Sequence, residues 1–438
     1  MFGLKTKLYK IINSAYEKVR KNYDRDSFEL KLENSEFTFL RGVNIEKISK
    51  IMRVHGKDDI VSSIIEIGKP LLHKYYSVEC KKSSLSKGCS CICVLSRHNF
   101  ERKEMISRYE KVVQFIDNKE CVYGNNNNFS LSIEGLRLAL LWFRQMPRNG
   151  DVEIKLRLIS AMLEAWQIIK SFKSLPEGDR NTIERCIVMC DFQPVDSVVV
   201  QYFNFLGIET ISLQHGSYGS GVGTIENCVA NKILVYGKHD SEELVKAGIS
   251  KDRIVLAGMP QMIGIEEKRV LSTRVIKKVG VVCSGAFGYI PDLKMMNVLL
   301  SVNKEKKWDL YLKIRTDSIK ESYKGLVEKY GFKGIYSDEL SSIDFIDEMD
   351  AIICGISTMT LESIVRMKPT FVYSENMGES FDKLSDFKFL NGKELIKLID
   401  FYEIDTDNFQ FKLKQVKDYF CANNIDQNYK LFLEHKFV

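Results

Sequence analysis

Short apolar runs alternate with amphipathic helical stretches from Arg185 to Tyr373, and few folds accommodate that texture. Cys186–Cys190, Glu209–Leu213, Lys232–Tyr236 and Arg253–Ala257 are largely apolar over four or five residues, as strands covered on both faces are. Helical stretches at Val195–Leu206 and Ser241–Ala247 lie between them. Strand–helix–strand repetition with short turns predicts a parallel sheet with helices on its faces. The segment from Gly264 to Lys278 is charged and less apolar, and a second series follows it. Its strands fall at Val279–Cys283, Leu310–Ile314, Ala351–Cys354 and Thr370–Tyr373, and its helices at Leu293–Val302, Tyr323–Tyr330 and Met359–Arg366. Two such series predict an α/β protein of two facing, Rossmann-like, doubly wound domains. The expected division is 1–265 and 279–420, with a linker at 266–278 and a C-terminal helix packing back on the first domain.

The chain before Arg185 adds helices. Ser132–Met146 and Ile154–Ile169 carry continuous apolar stripes that read as core, and Asn125–Asn128 after Gly124 reads as a polar loop. Met1 to about Arg25 has helical spacing, with Phe2, Leu4, Leu8, Ile11 and Ile12 opposite Lys5, Lys7, Lys10 and Lys18. A basic amphipathic helix of this kind either packs on its own domain, the commoner outcome, or lies on an anionic membrane.

At 438 residues two domains are the natural expectation. The formal charge of +6, from 64 basic and 58 acidic residues, is small and dispersed, so charge gives no support to nucleic-acid binding. It suits an anionic small ligand or a membrane surface. No apolar run reaches the roughly 18 to 20 residues needed to cross a bilayer, and the N-terminus has no signal-peptide pattern. The eleven cysteines lie largely in apolar runs, which points to reduced thiols and a cytoplasmic chain, peripheral at the inner membrane face if the basic helix binds there. Cys89, Cys91 and Cys93 alternate, whereas metal ligands usually come as C-x2-C pairs, so a buried strand is the better reading.

In doubly wound sheets ligands bind beyond the C-terminal strand ends. After the strand ending at Leu213 comes Gln214-His215-Gly216-Ser217, a glycine-rich turn that delivers a histidine able to act as base or anion donor. Asp191 closes the preceding strand, and with Gln214, Gly216 and Ser217 it is an acceptor-side candidate. Ser284-Gly285 opens a glycine turn that offers backbone N–H groups to a phosphate, though it lacks the nucleotide-hydrolase phosphate-loop pattern. Lys313 and Arg315 alternate at a strand end, where they face a diphosphate or merely solvent. Ser357 and Thr358 begin a helix and Glu362 follows within it, a capping arrangement whose hydroxyls also suit phosphate oxygens. Asp24-Arg-Asp26 and Asp405-Thr-Asp407 match the D-x-D letters, but neither follows an apolar strand.

Together, Gln214-His215-Gly216, Ile233–Gly237 with Gly248, and Arg253–Pro260 resemble the end of the N-terminal domain in GT-B-type glycosyltransferases of capsule and teichoic-acid synthesis. Ser357-Thr358, Glu362 and Lys368-Pro369 are similar to their nucleotide-donor segment. The likeness spans Cys186 to Tyr373 and implies a bacterial, metal-independent transferase without cofactor. Its partners would be a nucleotide-sugar donor and a glycan or lipid-linked glycan acceptor. By position His215 would be catalytic, and Ser284, Gly285, Lys313, Arg315, Ser357, Thr358 and Glu362 would line the donor. Several relatives carry a Lys-x-His-Pro segment where this chain reads Lys313-Ile-Arg-Thr316, so either Arg315 would take the charge-neutralising part or this branch would differ in donor. Phosphopolyol transfer, nucleotide-sugar 2-epimerisation and a non-catalytic carbohydrate-binding subunit are the alternatives.

Overall fold

The computed structural model describes residues 73–79, 91–95, 103–116, 119–129, 133–145, 152–173, 175–191, 194–216, 218, 228–265, 275–283, 290–314, 320–337, 339–355, 357–374 and 379–434. The helix expected over Met1 to Arg25, along with Cys80 and Cys89, lies outside these residues.

The first sheet holds β1 (His73–Glu79), β2 (Cys91–Leu95), β3 (Lys119–Phe129), β4 (Arg185–Val188), β5 (Glu209–Leu213), β6 (Lys232–Val235) and β7 (Ile254–Leu256), in the order β1-β3-β2-β4-β5-β6-β7. All pairs are parallel except β1 with β3. Its helices are α1 (Lys103–Val113), α2 (Ile133–Gln145), α3 (Val152–Lys173), α4 (Glu177–Asn181), α5 (Pro194–Phe205) and α6 (Lys238–Lys246).

Strand alternation explains why these runs are apolar throughout. Ile92, Val94, Cys186 and Val188 face a core made with α3 and α5. Cys91, Cys93, Leu95, Ile187 and Met189 face the opposite core, made with α1 and α6. Cys91 and Cys93 are therefore buried on one strand face, their sulfurs 4.0 Å apart. Burial pushes the Cys186 thiol well above its ordinary range.

Two expectations are corrected here. Asn125–Asn128 is not a loop: it continues β3 past the end of β2, where β3 pairs only with β1. The stripe on α2 is also not wholly core. Ala139 is buried, but Ile133, Leu136 and Leu140 are 77%, 44% and 54% exposed, because α2 packs on α3 as an outer layer.

The second sheet holds β8 (Lys278–Val282), β9 (Asp309–Lys313), β10 (Gly334–Tyr336), β11 (Ala351–Cys354), β12 (Thr370–Tyr373) and β13 (Lys388–Phe389), all parallel, in the order β10-β9-β8-β11-β12-β13. Counted from its own first strand this is 3-2-1-4-5-6, the nucleotide-binding order. Its helices are α7 (Ile290–Lys306), α8 (Lys320–Tyr330), α9 (Ser342–Glu348), α10 (Thr358–Val365), α11 (Gly392–Ile404) and α12 (Thr406–Phe420); α13 (Ile425–Glu434) closes the chain. At Gly280 in β8 an added Cβ would meet Phe345, Met349 and Ile352 side-chain atoms at 2.7–2.8 Å, so glycine lets α9 approach the sheet closely.

The chain crosses back at its end. Phe409, Leu413, Val416 and Phe420 of α12 belong to the core of the second sheet, whereas Tyr429, Phe432 and Leu433 of α13 belong to the first. At the crossing Ala422 N–H donates to the Tyr236 carbonyl at 2.7 Å. Tyr236, Met259 and Met262 pack against the second core, tying the two halves together. No helix among the described residues is long and apolar enough to cross a membrane.

Candidate functional site

Each sheet has one point where strand order reverses: between β2 and β4 in the first, and between β8 and β11 in the second. Crevices form there because successive helices leave to opposite faces. The chain leaving β2 leads to α1, and the chain leaving β11 leads to α10, so these helices carry side chains out of the two switch points.

They meet. Arg108 Nη2 of α1 lies 2.8 Å from Glu362 Oε1 of α10, and the two side chains are 5% and 1% exposed. Arg108 Nη1 also donates to the His215 carbonyl at 3.2 Å. Gln261 Nε2, from the short turn Pro260–Met262 after β7, donates to the same Glu362 oxygen at 2.9 Å. Lys111 Nζ, one turn beyond Arg108, donates to the Gln261 carbonyl at 2.8 Å, and burial holds its ammonium below the ordinary lysine range. Across the same gap, a Cβ at Gly216 would sit 3.8 Å from Thr358 Oγ1. The turn holding His215 thus lies against the first turn of α10, where the Ser357 hydroxyl accepts from Met359 N–H at 3.3 Å.

Several contacts brace the His215 turn. Gln214 Oε1 accepts from Tyr236 N–H and its Nε2 donates to the Gly216 carbonyl, both at 2.7 Å. Asp240 Oδ1, at the start of α6, accepts from Tyr218 N–H at 2.9 Å. Burial raises the Asp240 carboxyl to about 7, against the lowering effect of the Tyr218 N–H and the Gln214 side chain. Next to it His239 Nε2 lies 3.0 Å from the Tyr218 carbonyl, and burial lowers its pKa.

Of the residues expected at the site, His215, Gly216, Ser357, Thr358 and Glu362 come together. Ser217, Ser284, Gly285 and Arg315 lie outside the described residues. Three others have different positions from those expected. Lys313 is buried and donates to the Ser337 and Leu340 carbonyls, so its ammonium holds the loop after β10 instead of facing a diphosphate. Asp191 is fully buried, with Oδ2 accepting from Val229 and Ala230 N–H at 2.6 and 2.8 Å, which removes it from any acceptor surface. Gln214 is likewise buried in the turn it braces. Lys368 is buried too and donates to the Met349 and Asp347 carbonyls.

Sequence reasoning missed Arg108 and Gln261. Arg108 carried a usable signal, because it sits on the helical stripe of Met105, Tyr109, Val112 and Ile116, all buried. An arginine on an apolar stripe needs a partner. Among the described residues no group of three or more His, Cys, Asp or Glu side chains is placed to hold a metal ion.

No protein-family model and no curated protein matches the chain. Solved structures match it in fold. The co-structure of S. aureus MnaA with UDP has a TM-score of 0.52 at 11% identity, covering 79% of this chain and 97% of that one. A putative UDP-N-acetylglucosamine 2-epimerase from Listeria monocytogenes scores 0.51 at 12% identity, over 80% of this chain and all of that one, 100%. A UDP-glucosyltransferase from Polygonum tinctorium capable of glucosylating indoxyl scores 0.50 at 11% identity, over 80% and 99%. At such identities the likeness is one of fold: two Rossmann-like domains facing each other in the GT-B arrangement.

Proposed function

We propose that this chain is a glycosyltransferase that moves a sugar from a nucleotide-activated donor to a glycan or lipid-linked glycan acceptor of a surface polysaccharide. The observation that carries the reading is the approach of Gly216, beside His215, to Thr358 at the start of α10, with Glu362 one turn further on. The turn bearing His215 thus lies against a helix start from the other sheet, with a buried carboxylate one turn beyond. On this reading residues 1–265 hold the acceptor and 279–420 the donor. That two of the fold neighbours carry UDP-sugar activities in their names, and a third was solved with UDP, supports a uridine nucleotide.

The acceptor hydroxyl loses its proton to His215 as its oxygen bonds to the donor's anomeric carbon, and the bond from that carbon to the nucleotide diphosphate breaks. The Ser357 and Thr358 hydroxyls, at the positive end of the α10 dipole, receive the departing phosphate. Glu362 accepts from donor hydroxyls.

A 2-epimerase is the second reading, favoured by the fold of the Listeria protein. Epimerisation needs acid/base carboxylates facing the sugar. On the transfer reading Asp191, which accepts from the Val229 and Ala230 N–H groups, and Asp240, which accepts from the Tyr218 N–H, brace the fold and take no part in the chemistry.

The test is a thermal-shift screen of the purified chain against UDP, CMP, CDP and GDP, with and without divalent metal. A ligand at 100 times its dissociation constant adds about 2.7 kcal/mol of stability. A metal-independent shift with one nucleotide is expected, and incubation with the matching nucleotide sugar without acceptor should leave the sugar unchanged. Conversion to its 2-epimer would decide for the second reading, and no shift with any nucleotide for a non-catalytic subunit.

A further inference from the structure

Resting on the nucleotide-donor reading above, we propose that Arg108 and Gln261 complete the donor site from the first half of the chain. Arg108 pairs with a donor phosphate, and the Gln261 side-chain carbonyl accepts from a donor hydroxyl. Donor binding then exchanges the Arg108–Glu362 pair for an Arg108–phosphate pair and a Glu362–hydroxyl contact.

The composition of the cluster argues for this. A buried guanidinium–carboxylate pair is a weak source of stability, because desolvation offsets much of the attraction. Its two halves are, however, the groups that recognise a sugar phosphate: a planar donor fork for phosphate oxygens and a carboxylate for hydroxyls. Gln261 adds an independent observation. The residue is 7% exposed and gives its Nε2 to Glu362 at 2.9 Å, while its Oε1 has no hydrogen-bond partner among the described residues. A buried acceptor without a donor is disfavoured. A hydroxyl entering beside Glu362 would satisfy it.

Position supports the same assignment. Arg108 reaches the start of α10 from the switch point of the first sheet, and through Lys111 the same helix holds the backbone of Gln261. Of the strand-end cations expected to meet the diphosphate, Lys313 is held by the Ser337 and Leu340 carbonyls. Arg108 supplies positive charge where Lys313 does not. Because it also donates to the His215 carbonyl, a shift of its guanidinium towards phosphate is felt by the turn bearing the proposed base.

The experiment is calorimetric titration of the full-length chain with UDP and with uridine, a pair differing only in the diphosphate. Removing Arg108 alone would leave the buried Glu362 carboxylate without its guanidinium counter-charge, so the variant used is Arg108→Met with Glu362→Gln, compared with Glu362→Gln by itself. The double variant is expected to bind UDP at least about tenfold more weakly than Glu362→Gln, with uridine affinity unchanged. Gln261→Met is expected to weaken UDP and uridine by the same factor. Equal UDP affinity in the double and single variants would overturn the role of Arg108, and unchanged binding by Gln261→Met that of Gln261. Failure of the unaltered chain to bind UDP, CMP, CDP or GDP would instead overturn the nucleotide reading, and this inference with it.

Discussion

The side-chain amide of Gln214 joins two backbone segments, accepting from Tyr236 N–H at the end of β6 and donating to the Gly216 carbonyl, each at 2.7 Å. It thereby fixes the turn that carries His215. Gln214→Leu keeps the volume and leaves both backbone groups buried without partners. We expect a loss of about 1–3 kcal/mol in urea unfolding, from the unsatisfied groups. Turnover should fall as well, since the turn is no longer held.

His215→Ala should separate chemistry from binding. If His215 removes the acceptor proton, turnover drops by roughly 10²–10⁴-fold. Donor affinity, measured by titration, should stay within about a factor of two. Unchanged turnover would remove His215 from the mechanism.

Asp240 makes stability depend on pH in a defined direction. Its carboxyl is raised from 3.8 to about 7 in the folded chain, so between those values the native state holds a proton that the unfolded state releases. Its contribution is therefore full below the unfolded value and lost as pH rises through about 7. The full loss amounts to roughly 4 kcal/mol. Asp240→Asn carries no charge at any pH, and the midpoint of urea unfolding should lose this fall between acid and neutral pH. An unchanged slope would show that another group carries it.

Two glycine replacements should act in opposite directions. At Gly237 an added Cβ would lie 2.6 Å from the Cys421 backbone nitrogen and closer still to Phe420 backbone atoms, which cannot move aside as a side chain can. Gly237→Ala should cost about 1–3 kcal/mol or more. Gly325 lies exposed within α8 with nothing within 4 Å of its Cβ position, and Gly325→Ala should stabilise by about 0.5–1 kcal/mol. Thermal midpoints of the two variants, read against the unaltered chain, check both.

Both sheets were readable in advance where strands are covered on two faces. Ala351–Cys354 is apolar at every position and Thr370–Tyr373 after its first residue, Glu209–Leu213 carries Ile211 and Leu213 between turn signals, and the observed strands have these same limits. What escaped were elements with weak or mixed periodicity. β3 carries four asparagines before its last residue, Phe129, and that run has neither apolar alternation nor an apolar stretch to mark a strand. β10 is three half-buried residues. At the site, strand-end logic pointed to His215 and Glu362, whose segments the fold brings together. It missed Arg108 because the charge lies inside a helix, and Gln261 because a glutamine in a short turn has no pattern of its own. It misassigned Lys313 and Asp191 because a strand-end side chain can turn to a neighbouring loop as readily as to the cleft. Only the packed backbone decides which.

The return of α13 to the first sheet has a consequence for synthesis. Tyr429, Phe432 and Leu433 complete the apolar face that also contains Leu95, Ile187 and Ile211, and Gly264 N–H meets Asp426, 162 positions later in the chain. A ribosome adding about 5–20 residues per second delivers that distance in on the order of 10 to 30 s. For that interval the first half is made but its core lacks Tyr429, Phe432 and Leu433, and it closes only once α13 has left the exit tunnel. The two halves therefore finish folding together, although one is synthesised long before the other.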